Sequence, residues 1–126
     1  MKETIISIGI VLIILILDIV SQNYTKNAVQ DMNNCISTFR DQINNVDERT
    51  LQKSVDNINT KWKEYNRILS LYIEHNELEK VETYLAGYKN YVYAEDKQVA
   101  FKDIDQTEFI LEHISNKYKF TLENIF

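Results

Sequence analysis

The chain has 126 residues, with no proline and two glycines, so it lacks the turn residues that a multi-stranded sheet needs and favours α-helix. Its length suits a single domain. Cys35 is the only cysteine, which excludes a disulfide framework and any metal motif that needs two cysteines. The formal net charge of −5, from 14 basic and 19 acidic residues, argues against a nucleic-acid-binding protein.

An apolar segment extends from Thr4 to Val20 and contains 13 Ile, Leu or Val residues. On a membrane-insertion scale these residues contribute about −4 to −8 kcal/mol, whereas Asp18 opposes insertion by at most about 3 kcal/mol. Beyond a poor Ile-x-Ser pair, the segment that follows, Ser21–Lys26, offers no small-x-small cleavage site. We therefore expect an uncleaved transmembrane signal anchor over residues 1–22. A cleaved signal peptide and a buried core helix are the alternatives.

The basic residues on the two sides of the anchor predict its orientation. Lys2 and the α-amino group precede the anchor, whereas Lys26 is the only basic residue that follows it before Arg40. The positive-inside rule then predicts a cytoplasmic N-terminus. We expect a single-pass protein of the cell membrane in which residues 23–126 form an extracytoplasmic helical bundle.

Four stretches beyond the anchor carry apolar residues at spacings of three and four, the period of an amphipathic α-helix. The first stripe comprises Val29, Met32, Ile36, Phe39, Ile43 and Val46. The second, a heptad pattern, comprises Leu51, Val55, Ile58, Trp62, Tyr65, Leu69 and Tyr72. The third comprises Leu78, Val81, Leu85, Tyr88 and Val92. The fourth comprises Ala100, Ile104, Thr107, Leu111, Ile114 and Tyr118.

Turn-forming residues separate these stripes. Asn44–Asn45, with Asp47 as an N-cap, mark the end of the first stripe. A break near His75–Asn76 follows the second, and Glu95–Asp96 follows the third. Short connections make consecutive helices antiparallel, so we expect an all-α protein with an antiparallel up-down bundle of about four helices. No breaker separates the anchor from the first stripe, which favours one continuous rod, and we expect Ile125–Phe126 to pack on the bundle.

Two segments, Tyr72–Glu82 and Phe109–Ile114, resemble the domain-of-unknown-function 4363 family of small membrane-anchored clostridial proteins. In that family a hydrophobic anchor ends in a polar Ser-Gln-Asn-Tyr-like step, here Ser21–Tyr24, and a helix bearing a Trp follows, here Trp62. The family pattern closes on Asn-Ile and an aliphatic or aromatic residue, here Asn124–Phe126. The resemblance implies a membrane-anchored α-helical bacterial domain with no assigned activity and with an integral membrane protein as a partner.

His75 and His113 are the two histidines of the chain, and both have acidic neighbours. On a helix, Glu79 and Glu82 share a face with His75, at i+4 and i+7. In an up-down bundle the fourth helix returns towards the start of the third, so we expect Glu112 and His113 to arrive near His75. The five residues then form one polar patch used for packing or partner contact.

The residues around the histidines do not match a metal or catalytic motif. A di-metal helical bundle needs Glu-x-x-His on two helices, but Tyr72 and Ile110 stand three residues before the two histidines. The sequence contains no Gly-rich phosphate loop, no Ser-x-x-Lys and no His-Glu-x-x-His motif. We therefore predict no catalytic residue, no cofactor and no metal site. Cys35 has no basic neighbour in sequence, so we expect an inert buried thiol.

The leading functional hypothesis is a non-enzymatic, single-pass, membrane-anchored helical module that acts as an interaction or accessory subunit of a membrane protein assembly. Its expected partners are the membrane, through its own anchor, and an integral membrane protein, with oligomerisation left open and nucleic acid excluded. The alternative hypothesis is a sensor domain for a small ligand or metal ion, with a polar site near His75 and His113.

Overall fold

The computed structural model describes residues 1–94 and 97–118, and within them all regular secondary structure is α-helical. The four helices are α1 (Lys2–Gln42), α2 (Glu48–Leu69), α3 (His75–Tyr93) and α4 (Lys97–Lys117). The all-α prediction and the number of helices are therefore confirmed. The predicted turn at Glu95–Asp96 and the predicted packing of Ile125–Phe126 lie outside the described residues.

Helix α1 is a single rod of 41 residues, about 60 Å long at the rise of an α-helix. Its apolar first half is exposed on every face: the large apolar side chains from Ile5 to Val20 are 41–67% exposed. Burial begins at Thr25 and continues to the end of the helix. Judged by length and composition only, α1 is the one helix among those described that could cross a membrane.

The second half of α1 and the other three helices bury the predicted stripes in one hydrophobic core. Every stripe residue is buried except Val46, Tyr65, Tyr72 and Tyr118, which are half-buried. Trp62, at the middle of the second stripe, is among the largest fully enclosed side chains. Because apolar residues recur every three or four positions, each helix presents a continuous apolar face, and burying these faces together stabilises the fold.

The connection between α2 and α3 begins earlier than the sequence pattern predicts. Helix α2 ends at Leu69, so Tyr72, the last member of its heptad pattern, lies in the loop over residues 70–74. The backbone N–H of Leu71 bonds to the Ile68 carbonyl at 3.1 Å, and that of Tyr72 bonds to the Leu69 carbonyl at 3.1 Å. These i to i+3 bonds tighten the last turn and end the helix.

Each helix packs against the next one along the chain, and α4 also packs against α1. Helices α1 and α3 face each other across the core, where the ring centroids of Phe39 and Tyr88 lie 5.6 Å apart. Within the described residues, the four helices thus form a ring around one core. Hydrogen bonds between α1 and the chain from α2 onward join Gln42 to Ser54 at 2.7 Å and Thr25 to Tyr72 at 2.8 Å. Of these two contacts, the one made by the later residue of α1 has the partner that comes earlier in the chain.

Candidate functional site

His75 opens α3 and is exposed to solvent. Its imidazole is 86% exposed, and Nε2 lies 4.0 Å from Glu79 Oε2, one turn further along the same helix. Glu82 is exposed as well, on the following turn. The predicted His75–Glu79 face therefore exists, but it faces water.

His113 reaches the start of α3 from the last turns of α4, and its acidic partner there is Glu77. The distance between His113 Nε2 and Glu77 Oε1 is 3.6 Å. Glu112 points elsewhere: it lines a cleft between α4 and α1 together with Lys26 and Gln30. The structure thus brings His113 to the predicted end of α3 and places Glu112 on the side of α1.

Glu77 is the centre of a polar cluster, which we call the α3–α4 cluster, comprising Glu74, Glu77, His113, Lys117 and Tyr118. The Lys117 ammonium lies 2.8 Å from Glu77 Oε1 and 3.6 Å from Glu74 Oε2. The Glu74 N–H donates to the Tyr118 hydroxyl oxygen at 3.0 Å. These contacts tie the first turn of α3 to the last turn of α4.

The charges of this cluster keep Glu77 ionised although its side chain is only 10% exposed. The hydrogen bond from Lys117 is the largest influence on the pKa of the Glu77 carboxyl and lowers it, burial opposes this, and His113 lowers it further. A carboxylate held below its usual pKa is a poor general base at neutral pH. The cluster therefore suits structural pairing better than proton transfer.

Glu77 and Lys117 are absent from the predicted patch, although one sequence signal points to Glu77. This glutamate stands four residues before Val81, which in turn stands four before Leu85, so it lies on the buried face of α3. An acidic residue on a buried face requires a partner. The sequence of α3 alone does not identify that partner, because Lys117 lies on another helix.

A second polar cluster joins α1 to α2. The Tyr65 hydroxyl donates to Asp31 Oδ2 at 2.5 Å, and the Lys61 ammonium lies 3.2 Å from the same oxygen. The Tyr65 hydrogen bond is the main reason that the pKa of Asp31 is lowered, and it raises the pKa of Tyr65 to about 12. Lys61 also lies near Cys35, whose side chain is half-buried, and Cys35 helps to raise the pKa of Lys61. The fold thus supplies the basic neighbour that Cys35 lacks in sequence.

Neither cluster assembles a metal-binding geometry. In the part of the chain that the structure describes, no group of three or more His, Cys, Asp and Glu side chains could hold a metal ion. Several acidic groups are paired with Lys, Arg, His or Tyr side chains instead, as in the ion pair of Arg40 with Asp105 at 2.6 Å. Such pairing stabilises contacts between helices and occupies the carboxylates that take part in it.

Comparison with known proteins extends the resemblance seen in the sequence. The model of one family, described as Domain of unknown function (DUF4363), matches residues 19–125. The match begins near the end of the exposed apolar segment of α1 and covers α2, α3 and α4. No curated protein and no solved structure matches the chain. Since the family model covers nearly the whole chain, the protein belongs to the DUF4363 family.

Proposed function

We propose that this protein is a single-pass, membrane-anchored helical module that acts as an interaction or accessory subunit of a membrane protein assembly. One observation carries the proposal: the large apolar side chains of Ile5–Val20 are 41–67% exposed around the whole circumference of α1. A helix that is apolar on all sides requires an apolar surround. At roughly 0.3–0.6 kcal/mol per residue, transfer of this segment into lipid is strongly favourable.

The same proposal includes an antiparallel up-down bundle that is rigidly attached to the anchor. It is supported by the opposite order of the contacts along α1 and α2, and by the pairing of Glu77, near the start of α3, with Lys117, at the end of α4. Because α1 is at once the anchor and a core helix, any rotation of the span in the bilayer turns the bundle with it.

We place the N-terminal side in the cytoplasm and the bundle outside it. The chain beyond Val20 has 13 basic and 17 acidic residues. Its net negative charge means that an anionic cytoplasmic leaflet does not attract it. A membrane-impermeant maleimide should therefore label an Asn44→Cys variant, made with Cys35→Ser, in intact spheroplasts. Labelling that requires cell lysis would reverse the orientation.

An interaction role is favoured over an enzymatic one because the polar clusters join helices to each other. In the described part of the chain, the hydrogen bond from Lys117 lowers the pKa of Glu77, and that from the Tyr65 hydroxyl, helped by Lys61, lowers the pKa of Asp31. We propose an integral membrane protein as the partner, since the anchor confines the bundle to the membrane surface. The sensor alternative at His75 and His113 stays a prediction.

A purification from native membranes tests this role. We expect a tagged full-length chain to retain an integral membrane protein in stoichiometric amount, and His75→Gln with His113→Gln to weaken that retention while the helical circular dichroism is preserved. Lys53→Gln, an exposed change near the opposite end of the bundle, is the matched control. Equal retention by all variants would remove the histidines from the interface. Stoichiometric metal in the purified protein, with no partner, would favour the sensor instead.

A further inference from the structure

The loop over residues 70–74 is held rigidly against the start of the bundle. The Tyr72 hydroxyl lies 2.8 Å from Thr25 Oγ1 and donates to the Ser21 carbonyl oxygen at 3.1 Å. Ile73 is buried in the core at 4% exposure, and the N–H of Glu74 bonds to Tyr118. Three successive residues of the loop are thus held in place: Tyr72 by α1, Ile73 by the core, and Glu74 by Tyr118 at the end of α4.

Leu71 is forced outward by this arrangement. Since the side chains of Tyr72 and Ile73 both turn into the bundle, that of Leu71 projects into solvent and is 78% exposed. Ile68, 38% exposed, lies one tight turn earlier, because its carbonyl accepts the Leu71 N–H at 3.1 Å. Residues three apart in such a turn lie on the same side, so Ile68 and Leu71 form a small exposed apolar tip.

The tip lies beside a defined part of α1, and the distance of that part from the apolar segment indicates what covers the tip. Tyr72 contacts Thr25, which is five residues beyond Val20, the last apolar residue of the exposed segment. Five residues of α-helix span about 7.5 Å. The headgroup layer on each side of the hydrocarbon core is about 5–7.5 Å thick. If Val20 marks the edge of the hydrocarbon, the loop therefore lies at the level of the headgroups.

Aromatic residues at the same end of the bundle suit that environment. Tyr24, Tyr72 and Tyr118 are all half-buried and lie where α1, the loop and α4 meet. Tyrosine is enriched at membrane–water interfaces, because its ring is apolar and its hydroxyl is polar. A cleft at this end, between α1 and α4, is lined by Gln22, Lys26 and other polar side chains.

We propose that the tip formed by Ile68 and Leu71 is a second membrane contact, which inserts into the interfacial layer of the leaflet from which α1 emerges. This inference rests on the proposed membrane span of α1. It adds a lipid surface as the ligand of the loop over residues 70–74. Anchoring at two points fixes the tilt and rotation of the bundle, and so determines which of its faces a neighbouring membrane protein meets.

Environment-sensitive labels in the full-length chain test the proposal in phosphatidylcholine vesicles. Single cysteines at Leu71, Val11 and Asn44 are introduced with Cys35→Ser and labelled with nitrobenzoxadiazole. Val11 reports on the span, and Asn44 is a matched loop position at the opposite end of the bundle. We expect the labels at Val11 and Leu71 to be several-fold brighter than the label at Asn44 and to be quenched by nitroxide lipids. Headgroup nitroxides should quench Leu71 more strongly than Val11.

The outcomes separate the loop from the span. Quenching at Val11 with none at Leu71 would overturn the membrane contact and leave the span intact, whereas no quenching at Val11 would overturn both. A bright Leu71 label that lipid nitroxides do not quench would assign the tip to a second copy of the chain instead. A further variant, Leu71→Asp with the label at Ser70, should lose lipid quenching at the loop but keep its helical circular dichroism. Unchanged quenching there would also contradict the proposal.

Discussion

Glu77 shows how a single charged residue can determine how two helices meet. Its carboxylate lies on the buried face of α3, where an unpaired charge would cost several kcal/mol. Lys117 meets it at 2.8 Å and lowers its pKa below the ordinary value of a glutamate. The pair therefore specifies the register between the start of α3 and the end of α4.

Replacement of Glu77 by Gln tests this role through pH. Because the pKa of Glu77 is lowered in the folded state, its contribution to stability is present above the unfolded pKa and is lost as the pH falls through the folded pKa. We expect Glu77→Gln to reduce the free energy of unfolding by about 1–2 kcal/mol near neutral pH. The difference from the native chain should shrink as the pH falls below the ordinary pKa range of a glutamate. Denaturant unfolding of the full chain in detergent measures both.

Glu79→Gln is the control for that experiment, since the Glu79 side chain is 61% exposed and lies two residues further along the same helix. Its effect should stay within about 0.5 kcal/mol at every pH. A Glu77→Gln variant that matches this control would show that the Lys117 contact contributes nothing to the fold.

The contrast between predicted and observed site residues has a physical cause. The spacing of His75 and Glu79 is a property of one helix, so the sequence predicts that they share a face, and they do. The pairing of His113 with Glu77 instead of Glu79 depends on the rotation of α4 about its axis. Packing between helices sets that rotation, which no local pattern encodes.

At the scale of helices, apolar spacing predicted the buried faces well because burial of a continuous stripe dominates helix packing. The ends were harder to predict. Asp47 occupies the predicted N-cap of α2, but its carboxylate accepts a hydrogen bond from the Thr50 hydroxyl and caps no backbone N–H. Tyr72 fits the heptad spacing although α2 ends at Leu69. Its hydroxyl contacts α1 from the loop instead of from the helix.

The side chain of Asp103, on α4, lies against Gly87 of α3, and this contact can be tested by a double-mutant cycle. A Cβ at Gly87 would lie 2.6 Å from Asp103 Oδ2, and burial raises the pKa of the Asp103 carboxyl. Alanine favours a helix interior by about 1 kcal/mol over glycine, but overpacking costs about 1–3 kcal/mol. We expect Gly87→Ala to destabilise the native chain by about 1 kcal/mol.

In an Asp103→Ala background the carboxylate is gone, so the same substitution should stabilise the chain by about 0.5–1 kcal/mol. Thermal or denaturant unfolding of the four chains gives the coupling between the two positions. An identical effect of Gly87→Ala in both backgrounds would show that Asp103 does not limit the approach of α3 and α4.

At the scale of the molecule, the continuity of α1 is the feature with the largest consequence. Its 41 residues extend from the exposed apolar segment into the core without a break. The sequence predicted this continuity because no proline or glycine interrupts residues 18–42. The sequence could not predict how the ends of α2 and α4 would lie relative to the apolar segment of α1, which depends on contacts such as Tyr72 with Ser21.

The most direct test of the membrane anchor is the intact mass of the protein recovered from carbonate-washed native membranes. Our account predicts that the chain stays in the membrane pellet and keeps the anchor, at the full 14.9 kDa. The insertion energy of the segment up to Val20 and the missing cleavage site are the physical reasons. A chain shortened by roughly 20 residues, as after removal of a signal peptide, or a protein released into the carbonate supernatant, would contradict the account.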